Sequence, residues 1–363
     1  MSVAVVGAGI SGLSVALHLL ERDLGPVTVV ERTGIGAGAS GIQPGGVRRQ
    51  WATRGNCLMA SESYAFYRDF AERFETRAQA RFDTCGYVFL ADSEATIVSL
   101  EAAVTLQHEL GIPSVLLSPD EAAAVVPGLE PEGLLGGATC AEDGYFDRPQ
   151  AVVEAFAELV TARGGTIEIA DVRALERDGA GWRLDRLTAD AVVVAAGAAS
   201  RALVAPLGFD LPIVEEPRTL FLSEPIRERL LEPLVIAADR GIAAKQLADG
   251  RVLASDLRAG ADPARGRLRE ELDRLLPVLR YVSLPIVATG MYDMTPDGQP
   301  IIDRLDDGLW VAAGFSGHGF MVAPSTGRAV ADGLAGASPP EWLGALRADR
   351  FDRAPAEREA QVI

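Results

Sequence analysis

Unbroken apolar runs that stop at glycine occur three times along the chain. VAVV (Val3 to Val6) is followed at once by GAGISG, AVVV (191–194) by AAGAAS, and LWVAA (309–313) by GFSGHGF. A short run without polar alternation predicts a strand buried on both faces of a parallel sheet. After the first run, Leu13, Ala16, Leu17 and Leu20 recur at helical spacing, and VTVV then ends at Glu31. Strand, glycine turn, helix and strand in that order predict a βαβ unit. Further on, DRPQAVVEAFAELVTARGG predicts a helix with Asp147 as its N-cap and an early proline, and TIEIADV predicts a strand. GIAAKQL–ADG–RVLASD predicts a hairpin. A three-residue loop there sets Lys245 opposite Leu253, whereas a two-residue loop shifts the pairing by one and turns the face. From Pro339 onward the chain is charged and helical in pattern, which predicts a peripheral helical tail over 339–363.

The first turn carries chemistry. In Gly7-x-Gly9-x-x-Gly12 the first glycine permits the tight turn, the second lets backbone approach a pyrophosphate, and the third lets helix and strand pack closely. Ile10 and Ser11 open a helix whose free N–H groups and positive dipole end suit phosphate. Glu31 lies 19 positions after Gly12, where a carboxylate accepts both ribose hydroxyls, and Arg32 follows it. The pattern predicts a bound dinucleotide, and flavin and nicotinamide dinucleotides share it.

Composition narrows the setting. At 363 residues, 48% of them hydrophobic, the chain is long enough for two domains. A formal charge of −17 argues against nucleic acid or an anionic membrane as partner. Cys57, Cys85 and Cys140 form neither a disulfide framework nor a CxxC metal pattern. With no basic leader before the first strand and no apolar run of spanning length, the expectation is a cytoplasmic protein without membrane insertion or bound metal. Among 34 basic residues only Lys245 is a lysine.

Three stretches then choose the cofactor: TGIGAGASGIQPGGVRRQW after Glu31, ADAVVVAAGAAS, and MYDMTPDGQPIID…LWVAAGFSGHGF. Together with Glu31 they resemble the FAD-dependent amine and amino-acid oxidoreductases, the family of D-amino-acid, glycine and sarcosine oxidases. The likeness is nearest to sarcosine oxidases and to β subunits of related amino-acid dehydrogenases. It implies an α/β protein with a Rossmann-like FAD-binding domain and a mainly antiparallel α+β substrate domain. The FAD domain would be discontinuous (1–80, 145–212 and 290–338), with 81–144 and 213–289 building the substrate domain. It also implies FAD contacts from Ser40, Gly41 and Gly46, from Val172 near adenine, and from Ala196 and Gly197. The late loop, Gly314, Ser316, Gly317, His318, Gly319, Phe320 and Met321, would cap the flavin ring.

The same resemblance implies the reaction: oxidation of a C–N bond by hydride transfer to flavin N5, giving an imine that water hydrolyses, with electrons passing to oxygen or another acceptor. Such chemistry needs positioning more than a strong base, and the sequence holds no triad. Arginine forks clamp carboxylates in two-point fashion. Arg49 falls where sarcosine oxidases hold the substrate carboxylate, and Arg48 is its neighbour. His318 is expected beside the cofactor and Tyr292 in the pocket wall, while His18 and His108 read as structural. Three departures from sarcosine oxidases stand out: Met321 stands where they place a second, lysine clamp, Gly290 where the monomeric ones carry a cysteine bonded to flavin, and Leu253 near the position of their flavin-facing lysine. They imply noncovalent FAD and a more apolar pocket, with Lys245 as the candidate replacement for the lost lysine. A dehydrogenase subunit of a hetero-oligomer and a non-catalytic FAD-containing assembly module remain alternatives. Assembly with like or unlike subunits stays open, as do the small-molecule substrate and its chirality.

Overall fold

The computed structural model describes residues 1–258, 265–353 and 357–362. The three apolar runs lie side by side. Leu309–Ala313, Ala191–Val194, Val3–Val6, Val27–Glu31 and Thr166–Ile169 form a parallel sheet in that order, extended at one edge by antiparallel Ile301–Asp306. Continuous apolarity is explained by burial on both faces. On one side the helices Ile10–Leu20, Arg54–Arg68, Pro149–Ala162 and Gly319–Leu334 contribute to a single aromatic-rich core. On the other, Ala4, Val6, Val192 and Val194 share a core with Leu175, Trp182, Leu184 and Ala189. Those four residues come from a three-stranded sheet, Leu175–Asp178, Gly181–Leu184 and Leu187–Ala189.

A second sheet of eight strands runs in the order Ile286–Met294, Val214–Leu222, Val252–Asp256, Ile242–Gln246, Leu234–Ala237, Tyr87–Ala91, Gly136–Cys140, Val115–Leu117. It is antiparallel except where Leu234–Ala237 lies parallel to Tyr87–Ala91. The chain visits the two sheets alternately. Ile286–Met294 belongs wholly to the second, and the chain returns to the first at Ile301–Asp306.

Two expectations change. Asp147 does not cap the helix Pro149–Ala162. Its N-cap position is Arg148, and the Asp147 carboxylate instead accepts from the Ala248 N–H at 2.7 Å, tying the helix entry to the hairpin loop. Among the described residues the tail is helical in two short 3-10 turns, Glu341–Leu346 and Ala348–Asp352, but it is not peripheral. Trp342, Leu346, Arg350, Glu359 and Gln361 are buried. The buried Arg350 fork grips Asp297 at 2.7 and 3.1 Å, which draws the tail onto the protein body.

Candidate functional site

The glycine turn closes over the carboxyl ends of the central parallel strands, where open α/β sheets bind ligands. Gly7 has φ +110°, and a Cβ there would meet the Ala195 carbonyl; one on Gly12 would meet the Gly7 carbonyl. Gly9 is the N-cap of Ile10–Leu20 and supplies no side chain, so Ser40 caps from afar, its Oγ accepting from the Ile10 N–H at 3.0 Å. Ser11, the next residue, is buried. Gly41 ends the 3-10 turn Ala39–Gly41 that carries Ser40 over the helix.

Glu31 ends its strand and accepts from the N–H groups of Ala8 and Thr33, each at 2.9 Å. Burial alone would raise its pKa. The bonds from Thr33, Ala8 and Gly34 outweigh that and hold it below the ordinary value. Arg32 beside it is exposed. Gly197, at φ +57°, follows Ala191–Val194, and the Ala196 N–H donates to Ser200 Oγ at 3.1 Å. Val172 lies half-buried between Thr166–Ile169 and Leu175–Asp178. These groups thus gather around one end of one sheet.

Between the two sheets lies a cavity of about 50 Å³. Gln43, Pro44 and Gly46 line it from the early loop, and Gly317, His318, Phe320 and Met321 from the late one. Tyr87, Leu220, Lys245, Leu253, Ser255 and Tyr292 line it from the eight-stranded sheet. The loops approach closely. A Cβ on Gly46 would strike the Tyr87 hydroxyl, and one on Gly317 the Tyr292 ring. Gly314, at φ +69°, donates its N–H to Asp293 at 2.8 Å, and Ser316 donates its own to the Asp293 carbonyl at 3.0 Å. Burial pushes the Asp293 carboxyl up to about 6, against the opposing N–H bonds of Phe315 and Gly314. Gly319 begins the helix Gly319–Leu334 that follows.

Lys245 is buried and stands opposite Leu253, because Leu247 pairs with Arg251 across the three-residue loop. Its Nζ donates to the Pro44 carbonyl and lies 3.8 Å from the Tyr145 ring centroid. Burial brings its pKa down to about 7, with Cys85 and Asp147 pulling the other way. The amine is therefore poised between forms near neutrality, which an arginine could not be.

Arg48 and Arg49 part company. Arg48 is fully buried, its guanidinium 3.8 Å from the Trp51 ring centroid, and it donates to the carbonyls of Gln50 and Gln361. Its Nη2 lies 3.5 Å from His318 Nε2, so it holds His318 rather than the cavity itself. Burial, followed by the Arg48 charge, keeps the His318 pKa well below its ordinary value. The imidazole is thus neutral, and its edge-on packing against Trp51 fixes the ring. Arg49 does not line the cavity. It pairs with Glu142 at 2.6 Å and Asp143 at 3.3 Å, with its guanidinium 4.0 Å from the Tyr64 ring centroid. An arginine already gripped by two acids is not available as a free fork. His18 and His108 meet the carbonyls of Ser14 and Ser114, as structural histidines do.

The residues present fit an FAD. The close-packed glycines and the helix start without its own side-chain cap suit a pyrophosphate. Two buried nitrogens at the cavity, Gln43 Nε2 and His318 Nδ1, have no partner, and a ring edge bearing carbonyls offers acceptors. Sequence reasoning misses Gln43 and Tyr87. Gln43 sits inside a glycine-rich loop without distinguishing spacing, and Tyr87 begins a strand whose inward face only the sheet reveals. No group of three or more His, Cys, Asp or Glu able to hold a metal occurs among the described residues, and no helix there is long and apolar enough to cross a membrane.

Comparison with known proteins agrees with this geometry. The family model described as "DAO: FAD dependent oxidoreductase" matches residues 2–333. A glycine oxidase of Pseudomonas aeruginosa is 29% identical over 93% of this chain and 95% of its own length. A sarcosine oxidase subunit beta of Rhizobium meliloti is 25% identical over 97% and 88%. Among solved structures, an L-proline dehydrogenase from P. horikoshii superposes with a TM-score of 0.89 at 24% identity, covering 98% of both chains, which speaks for the fold.

Proposed function

The chain belongs to the DAO family of FAD-dependent oxidoreductases, and from that premise we propose that it oxidises the C–N bond of an amino acid or related amine to an imine, which water hydrolyses. FAD, when bound, supplies the two-electron acceptor; the rest of the task falls to the chain's own residues. The start of Ile10–Leu20 and Glu31 hold the dinucleotide at the phosphates and ribose, with Arg32, Ser40, Gly41, Val172, Ala196 and Gly197 around it. The six-stranded sheet and its helices serve the cofactor, and the eight-stranded sheet serves the substrate. Gly314 to Met321 cover the flavin ring. Gly290 offers no side chain to bond the cofactor, so the FAD is held noncovalently.

The observation that carries the reading is Lys245: the chain's single lysine lines a cavity walled on its other side by two glycine loops. With its pKa near 7, its Nζ can hold or release a proton beside the reacting amine. Tyr292 and Met321 shape the wall, and His318 stays a neutral donor. Small size and apolar walls exclude water from the reacting atoms. A dehydrogenase that hands its electrons to a partner subunit is the second reading, favoured by the similarity to a sarcosine oxidase beta subunit.

Visible spectroscopy of the purified protein tests this. A flavin band that bleaches anaerobically with one member of a panel of amino acids and amines is expected, and readmitted air separates oxidase from dehydrogenase. A preparation that takes up no FAD would sink the proposal, as would a flavin band untouched by every amine and amino acid.

A further inference from the structure

A second cavity, of about 570 Å³, adjoins the first, and Leu257 lines both. Its volume lies within the roughly 300–1,000 Å³ usual for small-ligand clefts. Three arginines, Arg218, Arg258 and Arg358, line it together with Glu216 and Glu359. In a chain of net charge −17 such a concentration of cations is unusual.

The two acids offset it only in part. The Glu359 carboxylate is saturated by donors from elsewhere, accepting from the N–H groups of Ala52, Thr53 and Gln361, from Thr53 Oγ1 and from Asn56 Nδ2. Glu216 pairs with Arg218 alone, at 3.0 Å. Among the described residues Arg258 and Arg358 have no ion-pair partner.

Arg218 links the cavities. Its side chain is 10% exposed; Nη2 donates to Glu216 and Nη1 to the Pro217 carbonyl at 3.2 Å, which leaves Nε as the one nitrogen of the fork buried without a hydrogen-bond partner. The guanidinium carbon lies 5.3 Å from the ring centroid of Tyr292, which lines the smaller cavity. On the same strand, two residues along and so on the same face, Leu220 also lines the smaller cavity. Opposite Arg218 on the neighbouring strand stands Gly290, which leaves the guanidinium without a facing side chain. One sheet face thus runs from the apolar surroundings of Lys245 into a cationic chamber, with an incompletely used arginine fork at the boundary.

We infer that the arginine cavity holds a carboxylate arm of the substrate, so that the preferred substrate is an amine or amino acid bearing a carboxylate remote from the oxidised C–N bond. This rests on the proposed oxidation of an amine in the adjoining cavity. A carboxylate takes two parallel N–H bonds from an arginine fork, and the isosteric amide cannot do so with charge.

The FAD-loaded protein is assayed anaerobically with both enantiomers of aspartate and glutamate and with the matching amides. The acid is expected to reduce the flavin with a kcat/KM about 30-fold or more above its amide, the scale of a desolvated charge pair. Arg218→Gln should raise KM for the acid about 30-fold while leaving the amide's unchanged, and Arg218→Lys should recover part of the loss. Independently, calorimetry on the same holoprotein should show glutarate binding more tightly than its monoamide, with the difference lost in Arg218→Gln. Arg258→Gln provides the same comparison if the first variant does not fold. Equal treatment of acid and amide by the wild type overturns the inference, as does a variant that weakens both alike. Flavin reduced by amines without regard to charge would leave the proposed function standing and this inference refuted. If no amine reduces the flavin, the proposed function fails, and the glutarate comparison still decides whether the cavity is a carboxylate site.

Discussion

Lys245 shows what burial does to a single residue. Its folded pKa of about 7 lies below the ordinary 10.5, so between those values the folded state holds fewer protons than the unfolded one. Stability should therefore rise with pH across that window. Lys245→Met abolishes this term. In thermal or urea unfolding the variant should be the more stable at pH 6, and its advantage should shrink by up to about 1.4 kcal/mol per pH unit above pH 7. A difference independent of pH would mean that the amine is not buried as a neutral group. Gly7 illustrates backbone rather than charge. At φ +110° and against the Ala195 carbonyl, Gly7→Ala combines strain with collision. We expect a loss of roughly 2–4 kcal/mol in urea unfolding, together with failure to retain FAD.

The helix Arg54–Arg68 shows how an element can depend on a distant segment. Its N-cap, Thr53, makes no side-chain cap bond of its own. Glu359 does the capping instead, with one carboxylate at the N–H groups of Ala52 and Thr53 and at Asn56, where the helix dipole also favours negative charge. The tail containing Glu359 gives its Gln361 carbonyl to Arg48, which in turn holds His318. Glu359→Ala should cost about 2 kcal/mol in urea unfolding, with Glu359→Gln intermediate, because the amide keeps one acceptor and loses the charge. Equal stability of all three proteins would show that water replaces the cap without loss. The hairpin Ile242–Gln246 and Val252–Asp256 is the opposite case: its loop length is local, and it alone fixes which face Lys245 takes.

At the scale of the molecule, the site is a seam between two sheets that the chain visits alternately. Neither sheet builds it alone: Lys245 and Tyr292 come from the eight-stranded sheet, while Gln43 and His318 come from loops beside the six-stranded one. A cofactor bound along such a seam stabilises both sides by mass action, about 2.7 kcal/mol when free ligand exceeds its Kd 100-fold. Stripping FAD should lower the melting temperature by about 5 °C or more, and adding it back should restore the loss in a concentration-dependent way. A melting temperature indifferent to FAD would separate cofactor binding from the fold. The cationic cavity belongs to this scale too, since strands, turn and tail each contribute one of its arginines.

The parallel strands, the dinucleotide turn, Glu31 and the late glycine loop are legible in the chain alone, because each is a local pattern: an apolar run, a glycine at a fixed offset, a charge at a strand end. The same local logic limits Lys245 to two faces, and loop length chooses between them. The roles open to the arginines are a matter of tertiary structure. A guanidinium reaches several ångströms, and its role depends on which acids the fold brings near it. Arg49 falls between Glu142 and Asp143, Arg48 under the tail, and Arg218 at a cavity with an unused nitrogen. The tail follows the same rule. Its charged pattern predicts a solvated helix, yet Glu359 is buried because the donors that compensate its charge lie some three hundred residues away in the chain.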